Sequence, residues 1–189
     1  ELFTASKGRG AFLDDRRIRV TKCVHLKNAL VGTGFPFREM SRLDLYMKQL
    51  KLMMQTAAGV RRAGAAALDL AYVAAGRLDA FWEMGLAPWD MAAGALMIQE
   101  AGGMVGDLSG DAGWLEKGDI AAATPKVFTE LLAALEERPA TPRRTAPLGS
   151  GLPAWPGTSR GRRAQSPRPG CCRRPDARRP RCSPSWRPA

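Results

Sequence analysis

Three short segments of this 189-residue chain contain groups that could bind an oxygen-rich ligand. Asp90 lies in the first turn of a predicted apolar helix, where its carboxylate could bind Mg²⁺, a cation that takes oxygen ligands. Glu83 ends an aromatic, strand-like segment, and its carboxylate could accept hydrogen bonds from a polyol. Residues 64–66 directly precede a second predicted helix, whose free backbone N–H groups could contact an oxyanion. Together the segments indicate a site for a phosphorylated polyol and a hard cation.

Each segment also has a purely structural interpretation. A carboxylate such as that of Asp90 stabilises a helix start through the helix macrodipole, whether or not it binds a metal. Glu83 could form an ion pair with a nearby arginine, and Gly64 could serve only to turn the chain. Taken singly, these structural roles are the more common ones. The chemical interpretation therefore depends on whether the three segments meet in the fold.

The spacing of apolar residues predicts the elements that would position these segments. We expect a hairpin over residues 8–20, strands at residues 29–34, 78–84, 104–108 and 120–123, and helices at residues 43–58, 66–75, 91–101 and 127–135. The helix at residues 91–101 is apolar on nearly all sides, which is typical of a helix buried between layers. Alternating strands and helices predict an α/β layered fold.

Composition divides the chain after residue 138. Residues 1–138 carry equal numbers of acidic and basic side chains, so the net charge of +11 comes entirely from residues 139–189. This second segment is rich in Arg, Pro and Gly, and we predict that it is disordered because it cannot bury enough apolar surface to offset the entropy of ordering. Its composition is typical of a frameshifted GC-rich reading frame or a misplaced gene end. A genuine basic tail that contacts RNA phosphates is the alternative.

The cysteines and the hydropathy of the chain indicate its compartment. Cys23 is the only cysteine before residue 139, and we expect it to be a small buried hydrophobe. The cysteines of residues 139–189 lack partners at the spacing of a zinc site. No apolar run reaches the roughly 20 residues of a membrane span, and no secretory segment opens the sequence. We therefore expect a protein of the cytoplasm.

Longer motifs around the candidate residues resemble the inositol monophosphatase family. Residues 89–94 read Trp-Asp-Met-Ala-Ala-Gly and residues 98–103 read Ile-Gln-Glu-Ala-Gly-Gly, which together resemble the C-terminal signature of that family. Similarity to bacterial members extends over residues 1–137, with further motifs at residues 1–5, 8–11, 33–37 and 68–76. The resemblance implies a partial αβαβα sandwich of the inositol monophosphatase and fructose-bisphosphatase type, formed by the C-terminal half of the family domain.

The resemblance also implies roles for five positions. Asp90 matches the aspartate that binds the second catalytic metal beside the substrate. Glu83 matches the carboxylate that contacts inositol hydroxyls. Gly64, Ala65 and Ala66 match the segment whose backbone meets the sugar ring, although Ser or Thr is usual where this chain has Ala65. The missing hydroxyl could weaken substrate positioning without removing metal binding.

The activity implied by the resemblance is Mg²⁺-dependent hydrolysis of a phosphate monoester, with inositol 1-phosphate as the substrate and a homodimer as the full-length form. The Asp-Pro-x-Asp-Gly-Thr motif, which supplies further metal ligands in the family, does not occur in the sequence. The chain alone is therefore predicted to be a truncated, inactive piece that exposes apolar edges and aggregates.

Two other functions stay open at this point. Relatives of this fold act on fructose 1,6-bisphosphate, nucleotide 3′-phosphates or histidinol phosphate, and Glu83 favours a polyol without deciding which one. The chain could instead be a non-catalytic module for RNA binding or assembly, which would use the basic residues after residue 138.

Overall fold

The computed structural model describes residues 1–37 and 40–136, which form two β-sheets and five α-helices. The strands are β1 (Phe3–Ser6), β2 (Gly10–Leu13), β3 (Arg16–Arg17), β4 (Leu30–Thr33), β5 (Gly59–Arg61), β6 (Ala80–Glu83), β7 (Met104–Gly106) and β8 (Ile120–Ala123). The helices are α1 (Leu43–Thr56), α2 (Ala66–Ala74), α3 (Pro88–Glu100), α4 (Trp114–Lys117) and α5 (Pro125–Leu135). The predicted tail and the predicted boundary after residue 138 lie outside the described residues. Among the described helices, none has the length and apolar character needed to cross a membrane.

The first sheet contains the predicted hairpin. β2 pairs antiparallel with β1 on one side and with the short β3 on the other. The turn between β2 and β3 consists of Asp14 and Asp15, which both have positive φ (47° and 62°), a conformation that Asp tolerates better than most residues. The carboxylate of Glu100 at the end of α3 accepts the backbone N–H groups of Gly8 and Gly10 at 2.6 and 2.8 Å. These two hydrogen bonds attach the β1–β2 turn to α3.

The second sheet has the strand order β5-β4-β6-β8-β7. β4 runs parallel to both β5 and β6, whereas β8 is antiparallel to β6 and β7. Helix α1 connects β4 to β5 on one side, and α2 then carries the chain to β6 on the other side. From β4 the chain passes to β5 on one side, and it then crosses back over β4 to reach β6 on the other side. The strand order therefore reverses at β4.

Helices cover both faces of the second sheet. Ala80 and Trp82 of β6 pack in the cluster that includes α1 and α5, whereas Phe81 packs with α2 and α3, because successive strand side chains face opposite ways. The first sheet packs on α2 and α3 as well, through residues that include Ala11. The layers are thus helix, sheet, helix and sheet. This arrangement confirms the predicted α/β layered fold.

Helices α2 and α3 approach each other closely at Gly94. A Cβ atom added at Gly94 would lie 2.4 Å from the Cβ of Leu70, which real carbon atoms do not tolerate without a shift. Glycine in a helix interior costs about 1 kcal/mol relative to alanine. The close contact between the two helix backbones offsets that cost.

The structure differs from the prediction in a few short elements. α3 begins at Pro88 rather than at residue 91. Proline is favoured at the first position of a helix, because the N–H there has no partner within the helix and its absence costs nothing. β5 has three residues and α4 has four, and both were missed since such short segments show no periodicity. Cys23 is partly exposed rather than buried.

Candidate functional site

The three candidate segments meet at one cavity of about 250 Å³, beyond the carboxyl ends of the parallel strands. Phe35 and Phe37 follow β4, Arg62 and residues 64–66 follow β5, and Glu83 ends β6. The strand order reverses at β4, and in open α/β sheets ligands bind outside the carboxyl ends of the strands at such a point. The fold therefore brings together all five residues that the sequence singled out. They are Gly64, Ala65, Ala66, Glu83 and Asp90.

Residues 64–66 form the turn into α2. Gly64 has a φ of +92°, in the left-handed region that glycine adopts without a steric penalty. Ala65 is the N-cap of α2, and it offers no side-chain oxygen to the first N–H groups of the helix. Ala65 and Ala66 both line the cavity, so this end of α2 faces the space where a ligand oxygen would lie. A Ser or Thr in place of Ala65 would satisfy one of these N–H groups with its hydroxyl.

Glu83 lies in a confined position beside the backbone of Gly34. A Cβ atom added at Gly34 would lie 1.9 Å from the Oε1 atom of Glu83, so only glycine leaves room for this carboxylate. Burial, together with the nearby charges of Asp69 and Asp90, raises the pKa of Glu83 to about 7, although Arg62 opposes the shift. Near neutral pH the side chain therefore exists in both forms and can donate or accept a hydrogen bond.

Asp90 is the third residue of α3, and its carboxylate both caps the helix and faces the candidate site. Its Oδ2 atom accepts the backbone N–H of Ala87 at 3.1 Å, which caps the helix start. Asp90 also lines the cavity. One carboxylate thus stabilises the beginning of α3 and presents its remaining lone pairs to the site.

Asp69 is a second acidic group near the site that the sequence analysis did not select. It lies in the first turn of α2, is only 2% exposed, and its Oδ2 atom has no hydrogen-bond partner among the described residues. Burial raises its pKa, while the backbone amide of Ala65 and the charge of Arg62 oppose the shift. Its sequence signal is the same as that of Asp90, an acid in the first turn of an apolar helix.

Arg62 is a positively charged residue that lines the cavity, and the sequence analysis missed it as well. Its guanidinium carbon lies 5.0 Å from the ring centre of Phe35 and 5.2 Å from that of Phe37. The two rings are perpendicular to each other, with their centres 5.6 Å apart. Within residues 1–37 and 40–136, no carboxylate forms an ion pair with Arg62, so the predicted pairing of Glu83 with an arginine is not realised there.

The donors at the cavity fit part of a magnesium site. Carboxylate oxygens are the ligands that Mg²⁺ prefers, and one or two carboxylates with substrate phosphate are a common set. Asp90 offers such oxygens at the cavity. The described residues contain no group of three or more His, Cys, Asp or Glu side chains that could hold a metal on their own. These residues therefore supply part of a ligand set.

Comparison with known proteins agrees with this geometry. The model of the inositol monophosphatase family matches residues 1–139, the N-terminal part of this chain rather than its C-terminal residues. The Nus factor SuhB of Pseudomonas aeruginosa is 56% identical over 138 residues, which cover 72% of this chain and 51% of that protein. The inositol-1-monophosphatase of Mesorhizobium japonicum is 44% identical over 137 residues, which cover 72% of this chain and 52% of the relative.

Two solved structures show the same fold. The extragenic suppressor protein suhB of Bartonella henselae has 45% identity and a TM-score of 0.69, with 71% of this chain and 52% of that chain covered. The inositol monophosphatase of Anabaena has 36% identity and a TM-score of 0.69, with 72% and 54% covered. The layered fold is thus a part of the inositol monophosphatase sandwich, as the sequence predicted. The chain spans about half the length of these relatives.

Proposed function

The chain belongs to the inositol monophosphatase family, and on this premise we propose that its site serves Mg²⁺-dependent hydrolysis of a phosphate monoester of a small polyol. The observation that carries the proposal is the convergence of Gly64, Glu83 and Asp90 on one cavity. The cavity volume of about 250 Å³ lies below the usual range for small-molecule sites, which favours a compact ligand such as inositol 1-phosphate.

Each residue at the cavity has a role that its geometry supports. Glu83 exchanges hydrogen bonds with polyol hydroxyls, and its pKa of about 7 lets it act as donor or acceptor. The free N–H groups at the start of α2 orient the ring. Asp90 would hold one Mg²⁺ ion. When bound, Mg²⁺ stabilises the negative charge that develops on the phosphoryl oxygens.

We infer that the 189-residue chain has negligible phosphatase activity by itself. Asp90 offers one carboxylate, and the described residues contain no cluster that could bind a metal alone. A second set of ligands would have to come from the family segment that carries the Asp-Pro-x-Asp-Gly-Thr motif. We further propose a cytoplasmic homodimer as the full-length form. Large exposed apolar side chains, such as Trp89 at 80% and Met54 at 70%, support a form in which other protein surface covers them.

A chimera tests the proposed activity. Residues 1–136 replace the matched half of the Pseudomonas aeruginosa relative, and phosphate release from inositol 1-phosphate is measured with Mg²⁺. We expect activity in the chimera, and Asp90→Asn should lower kcat about 100-fold or more, as loss of a charge-stabilising group does. Asp44→Asn is the matched control, since Asp44 also lies in a first helical turn, on α1, but away from this cavity. Full activity after Asp90→Asn would refute the role of Asp90.

The substrate assignment needs its own measurement. A panel of inositol 1-phosphate, fructose 1,6-bisphosphate, a nucleotide 3′-phosphate and histidinol phosphate is given to the chimera. We expect the highest kcat/KM for the inositol ester, because Glu83 contacts polyol hydroxyls. A higher kcat/KM for histidinol phosphate or a nucleotide would reassign the substrate and leave the phosphatase class intact.

A second candidate function follows from the names of the relatives. Several of them, including that of Pseudomonas aeruginosa, are named Nus factor SuhB, which points to a role in transcription. The +11 net charge, which comes from residues 139–189, would favour binding to RNA phosphates. RNA binding that weakens steeply with salt and disappears when residues 139–189 are deleted supports this function. Absence of binding at low ionic strength removes it.

A further inference from the structure

Arg62 and Asp90 both line the cavity, and they follow different strands of the second sheet. Across the sheet edge the order is β5, β4 and β6, so Arg62 after β5 and Asp90 after β6 flank the central strand from its two sides. Neighbouring strands lie about 4.8 Å apart, so the ends of β5 and β6 lie on the order of 10 Å from each other. Glu83 at the end of β6 lies beside Gly34, which directly follows the central strand β4.

Within residues 1–37 and 40–136, aromatic rings hold the guanidinium of Arg62, and it has no ionic partner there. The ring centres of Phe35 and Phe37 lie 5.0 and 5.2 Å from its guanidinium carbon, distances at which a cation is attracted to an aromatic ring. Rings fix the position of the group but leave its N–H donors unused. The described residues provide no ion pair for these donors. A cation of this kind at a cavity is suited to bind an anion that arrives with the ligand.

Among the described residues, no carboxylate forms a tight ion pair with Arg62. Glu83 lines the same cavity, and its pKa stays near 7 although the charge of Arg62 lowers it. A carboxylate in a tight ion pair with arginine has a pKa well below its ordinary value. Arg62 therefore acts on Glu83 from a distance and keeps its hydrogen-bonding capacity for another group.

We propose that Arg62 binds a second anionic group of the substrate, a phosphate or carboxylate carried on the polyol away from the ester that is hydrolysed. This inference rests on the proposed phosphatase function, in which Asp90 marks the position of the hydrolysed phosphate. Arg62 is then a specificity-determining residue. It favours a polyol with two anionic groups over a polyol with one, and the aromatic pair sets the distance between the two anions.

Binding of unhydrolysable analogues to the full 189-residue chain tests this role. The ligands are the 1-phosphonate of inositol, its 1,4-bisphosphonate, and the 1-phosphonate with a carboxylate at position 4, each titrated calorimetrically with Mg²⁺ present. We expect the two doubly anionic ligands to bind about 10- to 100-fold more tightly than the 1-phosphonate, the range that a charge-assisted hydrogen bond supplies. Whichever second group gives the larger gain identifies the anion that the site prefers.

Two arginine variants separate a specific contact from general attraction. Arg62→Gln should abolish the preference for the doubly anionic ligands over the 1-phosphonate. Arg61→Gln is the matched control, because Arg61 carries the same charge on the neighbouring position, hydrogen bonds to the Val60 carbonyl and does not line the cavity. It should keep the preference. An equal loss in both variants, or no preference in the original chain, overturns the proposal for Arg62.

The proposed function and this inference fail in different ways. If the 1-phosphonate binds and Glu83→Gln weakens its binding, but the second anion adds nothing, the phosphatase site stands and the role of Arg62 is wrong. If Arg62→Gln weakens all three ligands equally, Arg62 contacts the hydrolysed phosphate instead, and the proposal is also wrong. If none of the ligands binds, the second-anion contact is refuted, and the phosphatase assay of the chimera decides the proposed function separately.

Discussion

Unfolding of the protein should become easier as the pH rises through the pKa of Glu83. In the folded chain burial raises this pKa from 4.5 to about 7, so folding favours the protonated form. The stabilisation that comes from proton binding is fully present below pH 4.5 and is lost as the pH rises toward 7. A shift of this size corresponds to about 3 kcal/mol, and solvent screening of the partly exposed carboxyl reduces the expected change to about 2 kcal/mol.

Glu83→Gln removes the titrating group while keeping its size and hydrogen-bonding atoms. The difference in free energy of unfolding between the variant and the original chain should grow in favour of the variant by about 2 kcal/mol between pH 5 and pH 8. Urea denaturation in EDTA at several pH values measures it. Glu116→Gln is the control, because Glu116 is exposed and lies outside the cavity. A difference that stays constant with pH for Glu83→Gln would refute the burial argument.

Three further substitutions test packing around the site. Gly94→Ala should lower the free energy of unfolding by about 1–3 kcal/mol in urea denaturation, because its Cβ would lie 2.4 Å from that of Leu70; unchanged stability would mean that α2 and α3 separate easily. Gly34→Ala should leave the fold intact but displace the Glu83 carboxylate, and calorimetry should show weaker binding of inositol 1-phosphonate; unchanged binding would contradict the role of Glu83. Ala65→Ser should raise the free energy of unfolding by about 1 kcal/mol by capping α2, and no gain would show that its first N–H groups are already satisfied.

The sequence predicted the parts of the fold that have strong periodicity. Helices α1, α2, α3 and α5 and the central strands were found because each buries a continuous apolar face. β5 was missed since its three residues carry a glycine and a solvent-exposed arginine, Arg61. Its place at the sheet edge is fixed by pairing with β4, which no local pattern reveals.

In the candidate site, too, the residues marked by a local sequence pattern were predicted, and those that depend on the three-dimensional fold were not. Glu83, Asp90 and residues 64–66 were selected because local motifs mark the ends of their elements, and the structure places them at one cavity. Their catalytic roles stay predictions. Arg62 and Asp69 were not selected, because their significance depends on strand order and burial. An arginine beside another arginine gives no such signal in the sequence, and an acid in the first turn of an apolar helix, which Asp69 shares with Asp90, does not show how deeply its side chain is buried.

The contact between Gly94 and Leu70 has a mechanical consequence for the site. Helices α2 and α3 both begin at the cavity, and the close contact at Gly94 leaves little room for one helix to shift against the other. The distance between the α2 start and Asp90 is then insensitive to changes elsewhere. The segment after β4, which carries Phe35 and Phe37, is attached to a different element and can vary independently. Evolution could thus exchange this segment to admit a different ligand while the spacing between the two helix starts stays the same.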